Sequence, residues 1–493
     1  MQTKKIQYLL YLYMCAISII VFYLYGFLLK SNGDNIEHLH SSWLIWQGYL
    51  PYRDFFQHHN PLLWYLFSPL VASQIDNINI FPLFNIISIC CYMLIIYIQC
   101  KILLLNNIKL INVLFFSAIM LSSYSVLLST DYRPDTFMYL FFFIGLYFLF
   151  LYQKNTRLQY LVICFLSFFI GFMFTQKILF NIFIPALAVM YLVFTKKIRV
   201  QDIIFSSLLP IVLFLAFLVY LYTENALEIY LKANFYFNSF IPDIFYKTRI
   251  VMPPISYFEF YIFVPLGLLS SLYFITHKSS FIEKIISFMF IEETFLRFFY
   301  FSSFLHYSIM YLVLGIMLTM LLVNRFNKYT IILSVIGVIY LIFMVGYHYF
   351  MTYKDAIKAR NILYGYEFAF IQLTPCDYAM NGYYSSYNLK AKDIGYYGIL
   401  PGQIDVLGEK LGISKRDDIN HLIIKYKPKI ISVGPIWDTY WEQRGKKILA
   451  HKIDDNIIKE YYNPTRNSDI YMLKPEYQKY NCIYNGEEWR YVD

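Results

Sequence analysis

Apolar runs of about twenty residues recur through the first 350 positions of this chain, and a run of that length either crosses a bilayer or is buried whole. The first is Ile6 to Leu29, and others follow at about 80–100, 110–130, 136–153, 158–175, 178–195, 203–222, 256–276, 281–296, 298–323 and 330–350. Eleven spans are therefore expected. Of 493 residues, 59% are hydrophobic and only 15% charged, and mean hydropathy is +0.49, which excludes an ordinary water-soluble enzyme. The expected fold is a polytopic α-helical membrane protein, since a helix satisfies its own backbone polar groups in hydrocarbon. Lys4 and Lys5 precede the first run and no small-residue cleavage site follows it, so it reads as a retained signal anchor.

Pro61 to Ala72 is apolar but too short to cross about 30 Å of hydrocarbon, and it contains Pro69. It is expected to be an interfacial or re-entrant helix. With it left out of the spans, the inner loops hold thirteen cations: Lys4, Lys5, Lys101, Lys109, Lys154, Arg157, Lys196, Lys197, Arg199, Lys278, Lys284, Arg325 and Lys328. Counting it as a span would invert every later loop against the positive-inside rule. In the favoured layout Asp34, Glu37, Asp54, His58, His59, Arg133, Asp135 and Lys177 all fall on the outer face. Charge at a membrane edge is a functional pointer.

Past Tyr349 the hydropathy collapses. The division expected is a membrane domain over 1–350 and a soluble α/β domain over 351–493, exported because the span number is odd. Within it, residues 421–434 read as a helix end, a short loop and a buried strand, and 469–474 as a second strand. Cys376 and Cys482 lie in this region, where an oxidising compartment would allow pairing and a buried free thiol is the other reading. The chain has no Cys-x-x-Cys, Walker loop or Gly-x-Gly-x-x-Gly, so metal clusters and nucleotide cofactors lack support. Charges in this region nearly balance, and nothing points to nucleic acid.

Four sequence marks occur in order along the outer loops. Asp34 follows the first span, with Glu37 one turn on; Pro51-Tyr52 precedes polar residues and Pro61; Arg133-Pro134-Asp135 opens the second outer loop; Thr175-Gln176-Lys177 ends a span. His306-Tyr307 near a late span end is a weaker fifth. On these marks the chain resembles GT-C fold membrane glycosyltransferases that use polyprenyl-phosphate sugars, the broad group that includes glycosyltransferase family 39, the protein O-mannosyltransferases and the aminoarabinose transferase of lipid A. The resemblance covers most of the membrane half. One departure stands out: the lipid A transferases carry Glu-Lys where this chain has His58-His59-Asn60-Pro61, so an acidic metal ligand is missing and the metal question stays open.

The resemblance implies transfer of a hexosyl or pentosyl group, with inversion, from a polyprenyl-phosphate donor to a hydroxyl on a lipid, glycan or protein. Its implied catalytic candidates are Asp34 as general base, Glu37 and Asp135. Arg133, Lys177 and Arg297 would hold the departing phosphate, and Tyr52, Asp54, His58, His59 and His306 would contact substrate. No cofactor is required; a divalent cation would assist. The expected location is a bacterial inner membrane, with the active site and C-terminal domain facing outwards. Structural readings stand beside these. Asp34 and Glu37 could cap a helix, Asp135 could complement a helix dipole, and Lys177 could snorkel. His58 and His59 could be interfacial hydrogen-bonders, and Glu293 and Arg297 could form a helix pair. Two other functions compete: a transporter or flippase of lipid-linked sugars, and a GT-C ligase or polymerase using pyrophosphate-linked glycans.

Overall fold

The computed structural model describes residues 33–77, 79–129, 131–240, 258–299, 309–326, 343, 372–380, 389–397, 403–415, 418–432, 440–443, 446–449, 453–465, 470–485 and 489–492. Among these, four helices are long and apolar enough to cross a membrane: Ile80–Leu105, Pro134–Asn155, Val200–Thr223 and Glu259–Thr276. Only 6% of the central window of Val200–Thr223 is buried, and Phe205 and Val219 stand 63% and 62% exposed. Such an uncovered apolar surface needs lipid around it.

Several other expected spans are shorter or broken helices. Residues 110–130 form Leu110–Ser122 and Tyr124–Ser129, interrupted at Ser123, whose backbone is extended and whose hydroxyl donates to the Met120 carbonyl at 3.1 Å. A serine that bonds the preceding turn competes with helix propagation. Residues 178–195 divide into Ile178–Asn181 and Phe183–Phe194, with Pro185 removing a backbone donor in the second piece. Phe281–Phe299 is one continuous helix, but it carries Glu283, Glu292, Glu293 and Arg297. Leu62–Gln74, with Pro69 inside it, is only 13 residues long, as expected of a non-spanning piece. The expected spans at 6–29 and 330–350 lie outside the described residues apart from position 343.

The chain forms two compact units. The first comprises Met1–Leu29, Pro82–Ala216 and Phe245–Ile357. Its organising feature is the antiparallel pair Pro134–Asn155 and Leu158–Phe174, turned by Thr156 in the left-handed region at φ 52°. Leu149, Tyr152, Leu161, Cys164, Val189 and Leu192 pack beneath that turn. Phe258–Thr276 crosses Ile309–Arg325 at two glycines: a Cβ on Gly267 would meet the Gly315 Cα at 2.9 Å, and one on Gly315 would meet the Phe263 carbonyl oxygen at 2.7 Å. Small residues at such crossings let membrane helices approach closely. Loops assigned to the inner face meet one another, with Ser280 donating to Asn106 at 2.6 Å, the Lys109 amide to Asn324 at 3.2 Å, and Arg325 pairing with Glu283 at 2.8 Å.

The second unit comprises Lys30–Phe81, Phe217–Ile244 and Lys358–Asp493. It holds a five-stranded mixed sheet in the order Lys392–Asp393, Tyr378–Met380, Ile430–Ser432, Ile470–Leu473, Tyr462–Pro464. The first two pairings are parallel and the last two antiparallel. Ile394, Ile423, Ile431, Ile453, Tyr462 and Leu473 form its core. The helix Ile419–Tyr426 ends, and the strand Ile430–Ser432 lies, within residues 421–434, read from sequence as a helix end, a short loop and a buried strand. Cys376 and Cys482 are joined as a disulfide, with Cα atoms 5.8 Å apart. Asp377 beside it accepts hydrogen bonds from the Thr374 amide at 2.6 Å, Lys429 at 3.2 Å and the Tyr491 hydroxyl. A second core of Phe56, Ala233, Phe237, Tyr397, Leu407 and Ile413 ties the segment that follows Gly33–Trp46 to the C-terminal part of the same unit.

Candidate active site

In the first unit the site grows from a helix start. Pro134 occupies the first turn of Pro134–Asn155, where its missing N–H costs nothing. The residue before a proline is pushed to extended backbone, and Arg133 adopts φ −133° and ψ 148°. Asp135 in the first turn complements the positive helix end. Because the two long helices are antiparallel, the Thr175-Gln176-Lys177 segment returns to this end, and Lys177 Nζ donates to Asp135 Oδ1 at 2.9 Å. Arg133 Nε stands 3.6 Å from Asp135 Oδ2. The three side chains are only 10%, 6% and 17% exposed for Arg133, Asp135 and Lys177. One carboxylate thus holds a guanidinium and an ammonium close together, the two side-chain types that bind an anion such as phosphate. On the Phe281–Phe299 helix, buried Glu293 accepts from Asn181 at 2.7 Å, and Arg297 lies one turn further on.

In the second unit, Asp34 lies within the first turn of the Gly33–Trp46 helix rather than ahead of it, half-buried, and Glu37 is buried one turn on. Tyr52 is fully buried in the left-handed region at φ 71°, a strained conformation for a bulky residue. Its hydroxyl donates to the His59 carbonyl at 2.6 Å, and Tyr230 donates to Asn60 at 2.9 Å. Asp54 holds its own turn: it accepts from the Leu50 amide at 2.7 Å and from Arg53 at 2.9 Å. The His58 and His59 ring centroids stand 4.2 Å apart, while the His38 ring lies 5.6 Å from that of His59 and accepts from Trp64 Nε1 at 3.2 Å. His58 and His59 are thus packed into a histidine and aromatic cluster. Among the described residues, no three His, Cys, Asp or Glu side chains gather as a metal site would require. His306 lies outside the described residues.

The first comparison is one of sequence. Residues 59–222 match the profile of the family described as dolichyl-phosphate-mannose-protein mannosyltransferase, a segment that contains Arg133, Asp135 and Lys177. That segment is a third of the chain, and over it the sequence is similar to GT-C fold membrane glycosyltransferases. Among solved structures, the chain is similar to the Archaeoglobus fulgidus oligosaccharyltransferase. For the crystal structure of that protein with zinc and sulfate the TM-score is 0.44 at 12% identity, covering 93% of this chain and 72% of that one. The apo form gives 0.43 at 13% identity, covering 94% and 74%. No curated protein sequence matches.

Sequence reasoning found the residue types that meet in the first unit. It passed over His40, which pairs with Asp393 at 2.8 Å, and Gln57, whose amide donates to Ser41 at 2.7 Å. His40 stands one helical turn from Glu37, which is a local signal. Asp393 is 353 positions away, and no local signal announces it.

Proposed function

We propose that this glycosyltransferase moves a hexosyl or pentosyl group from a polyprenyl monophosphate donor to a hydroxyl on a lipid, glycan or protein, with inversion, on the outer face of a bacterial inner membrane. The observation that carries the reading is the Arg133, Asp135 and Lys177 cluster inside the family-matched segment. Its two cations are suited to the negative charge that grows on a departing phosphate. The acceptor oxygen attacks the anomeric carbon, the bond from that carbon to the phosphate oxygen breaks, and polyprenyl phosphate leaves with the bonding electrons. Asp34 is the general base that takes the acceptor proton. Asp135, already engaged by Lys177, serves to fix the cations. Substrate contacts are assigned to Tyr52, Asp54, His58, His59 and His306, and a further phosphate contact to Arg297. The Cys376–Cys482 disulfide favours an oxidising compartment for the C-terminal region, and a boundary between membrane and aqueous parts near residue 350 accords with it.

Lys177→Met tests the phosphate role. Loss of one electrostatic stabiliser at the reacting centre predicts a fall in turnover of about two orders of magnitude or more, with the protein still inserted and folded. A snorkelling lysine would give the opposite pattern, lowered membrane yield with unchanged turnover per folded molecule.

A further inference from the structure

His40 is nearly fully buried, and both of its ring nitrogens face atoms that can only accept. Nδ1 lies 3.0 Å from the Leu389 carbonyl oxygen, and Nε2 lies 2.8 Å from Asp393 Oδ2. A neutral imidazole carries one N–H and can donate to only one of them; the imidazolium donates to both. The two partners belong to the segment 389–397, whereas His40 sits in the Gly33–Trp46 helix between Glu37 and Ser41. Glu37, His40, Ser41, Gln57, Asp393 and Tyr396 line one small cavity, with room for a water or a single hydroxyl. Gln57 Oε1 is buried there with no hydrogen-bond partner among the described residues.

We propose that His40 is a positioning residue: as an imidazolium it clamps the Gly33–Trp46 helix, and with it the carboxylate of Glu37, against segment 389–397, and on losing its proton to solvent it releases them. The clamp rests on its own geometry; its consequence for catalysis rests on the proposed function, since Asp34 and Glu37 ride on the same helix. Burial alone would lower the His40 pKa, but the Asp393 carboxylate and the Leu389 carbonyl outweigh it and hold the pKa above the ordinary value. The other ionisable groups at the cavity are Glu37 on the same helix and Tyr396 and Tyr397 on the facing segment. Of the neighbouring cations, Lys390 Nζ pairs with Asp76 at 2.8 Å and Lys392 lies over the Tyr49 ring at 5.6 Å. A group whose folded pKa is raised gives its full stabilisation below the unfolded value of about 6.5. That stabilisation is lost as pH rises through the folded pKa.

Hydrogen exchange of the full chain in nanodiscs, corrected for the intrinsic pH dependence of exchange, reads the clamp directly. Protection of segments 34–46 and 389–397 should fall at least tenfold as pH rises through the His40 pKa. In Asp393→Asn the amide oxygen still accepts but the charge is gone, so the midpoint should move down by about one unit or more. Wild-type protection that does not change with pH, or a midpoint unmoved in Asp393→Asn, overturns the clamp, and neither result depends on transferase activity. With polyprenyl-phosphate mannose as the probe donor, the alkaline limb of turnover should move with the exchange midpoint. A limb that stays in place overturns the positioning role. Absence of any transfer overturns the proposed function instead, and exchange still decides the clamp.

Discussion

Asp34 and Asp135 are both carboxylates in the first turn of a helix, yet their surroundings differ. Asp135 is buried with Lys177 and Arg133 around it, while Asp34 is half-buried at the start of Gly33–Trp46. A general base has to accept a proton during the reaction, and the Asp135 carboxylate already holds Lys177. Asp34→Asn keeps size and favourable helix-start chemistry but removes proton-accepting power. The expected outcome is a variant that inserts and unfolds like the wild type and transfers at a few per cent of its rate or less. Near-normal transfer from Asp34→Asn, with Asp135→Asn inactive, would reassign the base to the Arg133-Pro134-Asp135 loop. These residues were legible from sequence because each stands at a local landmark, such as a proline or a span end. The His40–Asp393 pair was not, because it is made by tertiary contact alone. The backbone strain at Tyr52 was likewise hidden, since nothing in Pro51-Tyr52-Arg53 announces a left-handed residue.

At the scale of elements, apolar runs of the right length marked Ile80–Leu105, Pro134–Asn155, Val200–Thr223 and Glu259–Thr276 well. Run length alone could not show that a serine interrupts 110–130 or that 178–195 is two pieces, because hydropathy is blind to where a helix is broken. Nor did it show the glycine crossing, since a glycine in a greasy run looks the same whether it faces lipid or a neighbouring backbone. The contact at Gly315 is with a carbonyl oxygen of the facing helix, which cannot rotate aside as a side chain would. Gly315→Val should therefore lower stability by about 1–3 kcal/mol, the range for overpacking, with Gly315→Ala intermediate. Thermal unfolding in detergent checks this, and a valine variant with an unchanged midpoint would mean that the helices do not touch there.

At the scale of the whole molecule, hydropathy separates apolar from polar stretches but says nothing of which stretches pack together. The sequence order of the segments does not reveal that Lys30–Phe81 and Phe217–Ile244 belong with Lys358–Asp493 in one compact unit. The reason is physical: the cores that join them, such as Phe56 with Phe237 and Tyr397, are aromatic contacts between distant segments with no shared periodicity.

The central claim concerns the bond that is broken. Purified protein in proteoliposomes, supplied with membrane extract as the source of acceptor, would be offered in parallel a radiolabelled sugar on polyprenyl monophosphate and a labelled glycan on polyprenyl pyrophosphate. The expected result is that the monophosphate donor alone is consumed, with release of polyprenyl phosphate. Consumption of the pyrophosphate donor alone, or passage of intact lipid-linked sugar across the bilayer with no bond cleaved, would contradict it.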